Sequence, residues 1–284
     1  MDYNFADDLM AIRELLGLTQ AELASRLGVQ QITISRNESG ETKPSEALLE
    51  QAYGFAFDSG VRMSRLKEMF WLEGIEKEHK LLIHGAKVSI DGRISVSRSR
   101  TNNDFGQGFY VGENYEQAIS FVAGFKDSSV YFFDFDDSNL RSKEYKVNRD
   151  WMLTIAYYRG SLEAYKDHPL IKRLVSESRD CDYIIAPIAD NRMFRIINSF
   201  IDGEITDEQC KHCLAATNLG NQYVLISERA ADQLKMLERC YIPSNERDYY
   251  MNLRTDDVRL GDDKVKLARI KYRGKGHYID EILR

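Results

Sequence analysis

The 284-residue chain has no continuous apolar run near the roughly 18 residues of a membrane-spanning helix, and this excludes a conventional span. Its first residues, Met1-Asp2-Tyr3-Asn4-Phe5-Ala6-Asp7-Asp8, are acidic and lack the basic and apolar regions of a signal peptide, so the expected location is cytoplasmic. Cysteine is scarce: four in a chain of this length are too few for a disulfide framework. Cys210 and Cys213 form a lone C-x-x-C around His212, but Cys181 and Cys240 are scattered, and a zinc site needs about four ligands. They are read as structural thiols on a helix, with no metal. Positive charge is not in excess. Against 39 Lys and Arg stand 45 Asp and Glu, a net charge of −6, which excludes a uniformly basic coat for nucleic acid. No phosphate-binding G-x-x-x-x-G-K-[ST] loop occurs, and there is no internal repeat or low-complexity block.

Hydrophobic residues make up 43% of the chain, and 13 Phe and 16 Tyr supply ample apolar area for a core. The length suggests two domains. Residues 5–66 read as short helices, with apolar stripes at Leu9, Ile12, Leu15 and Leu16, then Leu23, Ala24 and Leu27. Gly17 stops the first helix, Thr19 is a natural N-cap for the second, and Gly28-Val29 makes a tight turn. A third helix carries Ile32, Ile34 and Ser35 and ends near Gly40, and Ser45 caps a fourth. This is the helix-turn-helix plan. A Lys- and Glu-rich helical connector spans 67–79. From Lys80 strand-like runs appear at 81–83, 109–111, 130–135, 183–185 and 222–226, with helical stretches at about 114–125, 150–178, 191–200, 206–215 and 228–238. After Pro243 the chain turns polar. Its tail carries Arg259, Lys264, Lys266, Arg269, Lys271, Arg273 and Lys275, by default a solvated surface. The expected fold is α+β, with domains at 1–66 and 80–242 and an extension at 243–284.

The segment Leu18-Thr19-Gln20-Ala21-Glu22-Leu23-Ala24-Ser25-Arg26-Leu27-Gly28-Val29, followed by Ile34-Ser35-Arg36, Gly40 and Lys43-Pro44-Ser45, resembles the Cro/repressor-type helix-turn-helix family over about residues 8–60. The resemblance implies DNA binding and transcriptional regulation. Thr19 and Gln20 would meet a phosphate at a helix N-terminus. Gln30, Gln31, Thr33 and Arg36 would face the major groove, where Gln pairs with adenine and Arg with guanine. Family members often carry an aromatic residue where Asn37 stands, so packing there is expected to differ. Residues 1–66 hold six basic and ten acidic side chains, a net of −4, so non-specific DNA binding should be weak and specific binding should need a dimer or a basic partner surface. A helical interaction module that never touches DNA is the plainer alternative.

A second motif reads Asp104-Phe105-Gly106-Gln107-Gly108-Phe109-Tyr110, with Ile83-His84-Gly85 upstream and Asn221-Gln222-Tyr223-Val224-Leu225 downstream. Together these resemble the ADP-ribosyltransferase fold of the poly(ADP-ribose) polymerase and diphtheria-toxin branch, built on a split β-sheet with helices. More closely they are similar to a bacterial domain family of unknown function that carries the D-F-G-x-G-F-Y signature and an I-x-P-x-A-D-x-R segment, here Ile185 to Arg192. The resemblance implies NAD as cofactor. His84 would bond a ribose hydroxyl, Gly85 the nicotinamide carboxamide, and Tyr110 would stack on the nicotinamide. Asp104, Phe105, Gly106, Gly108, Asp190 and Arg192 would complete the binding loop. Where the polymerases carry Glu, this chain carries Gln222. An amide can orient a ribose hydroxyl but can neither supply negative charge to an oxocarbenium ion nor act as a base, so single transfer or NAD hydrolysis is expected rather than polymer growth. Asp190 or Glu113 is an alternative carboxylate. From residues alone, Tyr110 also reads as a core aromatic, and Asp190-Asn191-Arg192 as a helix N-cap followed by a surface Arg.

The leading expectation is an NAD-dependent mono-ADP-ribosyltransferase of the toxin or phage-defence kind, with a DNA-binding regulatory domain. Its expected partners are NAD, DNA, an unknown macromolecular target, an antitoxin and a second copy in a homodimer. The alternative is a non-enzymatic regulator that senses NAD or a related nucleotide. A structural adaptor that binds no NAD is the third reading.

Overall fold

The computed structural model describes residues 2–215 and 220–284, apart from the side chains of 254–260, Arg259 of the basic tail among them. In chain order the N-terminal helices are α1 (Phe5–Leu15), α2 (Gln20–Leu27), α3 (Gln31–Glu38), α4 (Glu46–Asp58) and α5 (Met63–Gly74). Then come β1 (Lys80–Ala86), β2 (Phe109–Gly112), α6 (Tyr115–Ser120), β3 (Ser129–Phe135), β4 (Ser142–Glu144), α7 (Arg149–Tyr158) and α8 (Pro169–Arg179). The chain continues through β5 (Tyr183–Pro187), α9 (Asn191–Ile201), α10 (Asp207–Ala215), β6 (Asn221–Leu225), α11 (Glu228–Asp232), β7 (Leu234–Tyr241), α12 (Ser244–Lys271) and α13 (Ile279–Ile282). The fold is α+β, as the sequence predicts. No helix among the described residues is long and apolar enough to cross a membrane.

Contacts divide the chain into two compact units that do not follow its order. One comprises Met1–Gly92, Asn114–Phe135 and Lys235–Arg254; the other comprises Arg93–Glu113, Asp136–Leu234 and Thr255–Arg284.

In the first unit the local signals act as read. Thr19 caps α2 in a reciprocal box: its hydroxyl accepts the Glu22 N–H at 3.2 Å, and its own N–H donates to Glu22 Oε2 at 2.8 Å. Gly28 ends α2 at φ +66°, in the left-handed region that suits glycine. Ser45 caps α4 through the Leu48 N–H at 3.2 Å. Leu9, Ile12, Leu23, Ile34 and Ala52 are fully buried in the core of this bundle. Beside it β1 pairs antiparallel with β3, whose other neighbour is β7.

In the second unit β4 runs parallel to β5, and β6 is antiparallel to both β5 and β2. The core packs Trp151 and Ile155 of α7, Ile184 of β5, Ile197 and Phe200 of α9 and Val224 of β6. Each such burial stabilises by about 1.5–3 kcal/mol. Cys210 and Cys213 lie on α10 with buried thiols whose pKa values burial pushes up, and no group of three or more His, Cys, Asp or Glu among the described residues could hold a metal.

Two local expectations need correction. The helix read over 150–178 is broken: Gly160 adopts φ +88° after α7, and Pro169 starts α8 behind the His168 cap. The helix read over 228–238 stops at Asp232 and gives way to β7. That strand turns Glu238 inward, which hides the alternation that would have marked it. The polar tail after Pro243 is largely the 28-residue helix α12: Lys264, Lys266, Lys271, Arg273 and Lys275 are exposed, as a solvated surface requires, while Val265 and Ala268 pack on the core and the Arg269 guanidinium donates to Ser199 Oγ at 2.8 Å.

Candidate functional site

The first candidate surface is the exposed side of α2 and α3. Gln30, Gln31 and Arg36 are exposed, and Thr33 is half-buried. Ile32 is 51% exposed on the same helix, an apolar contact suited to a thymine methyl. Thr19 is exposed, but its hydroxyl already serves the capping box. Gln20 is half-buried and its amide donates to Glu38 Oε2 at 2.8 Å. The buried Glu38 also takes Arg13 Nε at 2.7 Å on its other oxygen, so α1, α2 and α3 meet at one carboxylate. Arg13 and Glu38 lie 25 residues apart, a spacing no local pattern marks.

The second candidate site is the D-F-G-x-G-F-Y loop, in the second unit. Asp104 is buried and satisfied on both oxygens. Oδ1 accepts Arg159 Nε at 2.7 Å; Oδ2 accepts Gln222 Nε2 at 2.9 Å and the Ala189 N–H at 3.2 Å. Burial raises the pKa of its carboxyl, against the opposing pull of Arg159 and these donors. Arg159 also donates to Ala189 O at 2.6 Å and lies 4.6 Å from the Phe194 ring centroid. Phe105 is in the core. Gly106 has φ +76°, and a Cβ there would stand 2.9 Å from the Tyr158 ring. A Cβ on Gly108 would stand 2.7 Å from Leu225 O, because β2 pairs closely with β6. Tyr110 closes the loop: its hydroxyl donates to Gly106 O at 2.7 Å and accepts the Phe105 N–H at 3.1 Å, and burial pushes its pKa well up.

Gln222, on β6 opposite Gly112 and Ala186, is 8% exposed. Its amide nitrogen reaches Asp104 and, at 3.4 Å, Pro187 O. Asp190 is the N-cap of α9, accepting the N–H groups of Arg192 and Met193 at 2.9 Å each, as one of the two sequence readings proposed. Arg192 departs from that reading's surface Arg. Its side chain is only 10% exposed and runs along α12, 3.8 Å from Asp262, past Gly261, where a Cβ would collide with the guanidinium. His84 and Gly85 lie on β1 of the first unit, opposite Tyr131 and Val130. A Cβ on Gly85 would collide with Ala118 O of α6, so close helix packing by itself requires glycine there.

A helix-turn-helix on a helical bundle, joined in one chain to mixed β-strands with helices, defines an α+β protein with a DNA-binding regulatory role. A family model described as Helix-turn-helix matches residues 9–52. A second, described as Protein of unknown function (DUF3990), matches residues 81–236, more than half of the 284, and the chain belongs to this family. No curated protein and no solved structure matches the chain.

Proposed function

We propose that the chain is a DNA-binding regulator whose DUF3990 domain takes up NAD or a related nucleotide and passes that state to the helix-turn-helix. The observation that carries this reading is how the helix-turn-helix is built into its unit. Lys67 of α5 bridges Asp8 of α1 and Glu238 of β7, and Tyr53 of α4 stacks on Tyr241 of β7 at 5.4 Å. The DNA-reading bundle thus shares its buried charges with a strand that leads out of the DUF3990 match, so a change in that strand's state has a physical route to α1 and α4. NAD follows from the resemblance of His84-Gly85, the signature loop and Gln222 to the transferase fold. The test is the purified full chain with NAD. A raised melting temperature without nicotinamide release supports the regulator, and no shift sinks it.

One observation favours a second reading, mono-ADP-ribosyl transfer by a toxin or defence effector held by an antitoxin. Gln222 Oε1 accepts no hydrogen bond from the described residues, which suits an acceptor for a ribose hydroxyl. This reading predicts nicotinamide release and growth arrest on expression, both lost in His84→Ala. Arrest that persists in that variant removes it.

A further inference from the structure

The basic run near the C-terminus keeps an apolar pair in the open. On α12, Leu267 is 68% exposed and Ile270 is 69% exposed, and three residues apart they share one face of the helix. From Lys264 to Lys275 the chain has six Lys and Arg and no carboxylate. Lys264 and Lys271 lie one turn to either side of Leu267, and Lys266 and Arg273 one turn to either side of Ile270. All four cations are exposed. Lys266 pairs with Asp263 at 3.2 Å, while Lys264, Lys271 and Arg273 meet no carboxylate among the described residues. Leu267 and Ile270 thus form an apolar ridge inside a rim of cations.

The ridge cannot turn inward, because the opposite face of the helix is already docked within the second unit. Val265 and Ala268 pack on the core. Cys213 Sγ donates to Val265 O at 3.6 Å, and Gln209 Nε2 donates to Arg269 O at 2.9 Å. Tyr272 stacks on His212 of α10, with ring centroids 3.5 Å apart. Two large side chains are therefore held out in water on a fixed backbone, and the ordering that association usually costs is complete before a partner arrives.

Single apolar residues on a surface need no partner, but adjacent ones rimmed by polar groups mark a contact site. The charges narrow what fits. Duplex DNA would satisfy the cations and leave Leu267 and Ile270 facing phosphates. A lipid surface is gripped by aromatic anchors, and the one aromatic of this segment, Tyr272, is engaged with His212. An acidic helix satisfies both parts: its apolar centre covers the ridge and its carboxylates meet the rim. We infer that residues 264–275 form a docking surface for an amphipathic helix of a partner protein, apolar at its centre and acidic on its flanks. This surface is independent of any nucleotide bound by the DUF3990 domain.

The test titrates the full chain, by fluorescence anisotropy, with two labelled helical peptides of identical composition. One aligns leucines along a single face with glutamates beside them; the other scrambles the same residues around the helix. The aligned peptide should bind at least tenfold more tightly. Leu267→Ser combined with Ile270→Ser leaves the charge unchanged and should weaken that binding at least tenfold, with the melting temperature retained. Lys264→Gln combined with Lys271→Gln should weaken it as well and reduce its dependence on salt. Equal binding of the two peptides overturns the proposal, and so does the absence of binding at millimolar concentration. Binding of phosphatidylserine vesicles or of duplex DNA that is lost in the double serine variant also overturns it, because the ridge would then serve a membrane or a nucleic acid. The comparison of peptides on the unmodified chain stands whatever the stability of the variants.

Discussion

Each unit buries a carboxylate with a cation, yet the two clusters are built on opposite plans. In the second unit one guanidinium meets one carboxylate, and the remaining lone pairs of Asp104 are taken by an amide and a backbone N–H. The charges balance, and Arg159, a planar fork, fixes the geometry. In the first unit the ammonium of Lys67 serves two carboxylates, Asp8 and Glu238. Tyr53 donates to Asp8 as well, and Trp71 Nε1 donates to Glu238 at 2.8 Å. This cluster carries one excess negative charge. Burial raises the pKa of Asp8, and burial also opposes the charge on Lys67, whose pKa is nonetheless raised by the surrounding carboxylates. The balanced cluster holds a loop in shape; the unbalanced one ties α1, α5 and β7 to a single point charge.

The contrast is broken most directly at Lys67. Lys67→Ala strands two buried carboxylates and should cost about 3–5 kcal/mol, read as a lower denaturant midpoint. A loss below about 1 kcal/mol would mean that the three elements hold together without the bridge. Next in size is Glu246 of α12, in the same unit. It is buried and accepts hydroxyl donors from Ser64 at 3.2 Å and Tyr115 at 3.1 Å, and burial pushes its pKa from 4.5 up to about 7. Between those two values the folded chain keeps a proton that the unfolded chain has lost, so stability falls as pH rises through that window. The penalty above pH 7 is on the order of 3 kcal/mol. Glu246→Gln should therefore stabilise the chain at pH 8, have almost no effect at pH 4, and flatten the decline between. An unchanged pH profile would contradict the raised pKa.

Gln222→Glu sharpens the comparison from the other side. It sets a carboxylate where the amide now donates to Asp104 at 2.9 Å, turning the balanced cluster into an overcharged one like the first. Stability should drop by about 2 kcal/mol at pH 8 and recover at pH 5, where the two carboxyls share a proton. Thermal melts at the two pH values decide it. An equal loss at both would show that shape, not charge, selects the amide.

What was legible in the sequence follows the range of the interactions. Thr19, Gly28 and Ser45 announce α2 and α4 because caps and turns act within four residues. The apolar runs at β1, β2, β3, β5 and β6 announce strands for the same reason. β7 stayed hidden because its inward Glu238 reads as polar until Lys67, 171 residues away, supplies the countercharge. The signature loop was recognised as a pattern, but its physical basis was not. Asp104 needs Arg159, 55 residues on, and Tyr110 needs the Phe105 N–H and Gly106 O that the folded loop presents. Asn37 departs from the family's aromatic residue on sight, but that its amide oxygen is buried without a partner follows only from the packed bundle.

The smallest effect tests whether the cap and the DNA contact compete at Thr19. Its hydroxyl donates to Glu22 Oε2 at 2.7 Å while accepting the Glu22 N–H, so it is engaged before any phosphate arrives. Thr19→Ala should cost about 1 kcal/mol of stability through the lost cap. Thr19→Ser keeps the oxygen and should leave stability almost unchanged. If the hydroxyl serves the helix alone, DNA affinity of Thr19→Ala measured well below its melting temperature will match that of the parent chain, and Arg36→Ala will weaken binding about tenfold or more. If the hydroxyl also meets a phosphate, Thr19→Ala will weaken binding to every DNA sequence alike and lower the salt dependence. The backbone N–H groups of α2 remain in both variants, so any difference between Ala and Ser reports on this one oxygen.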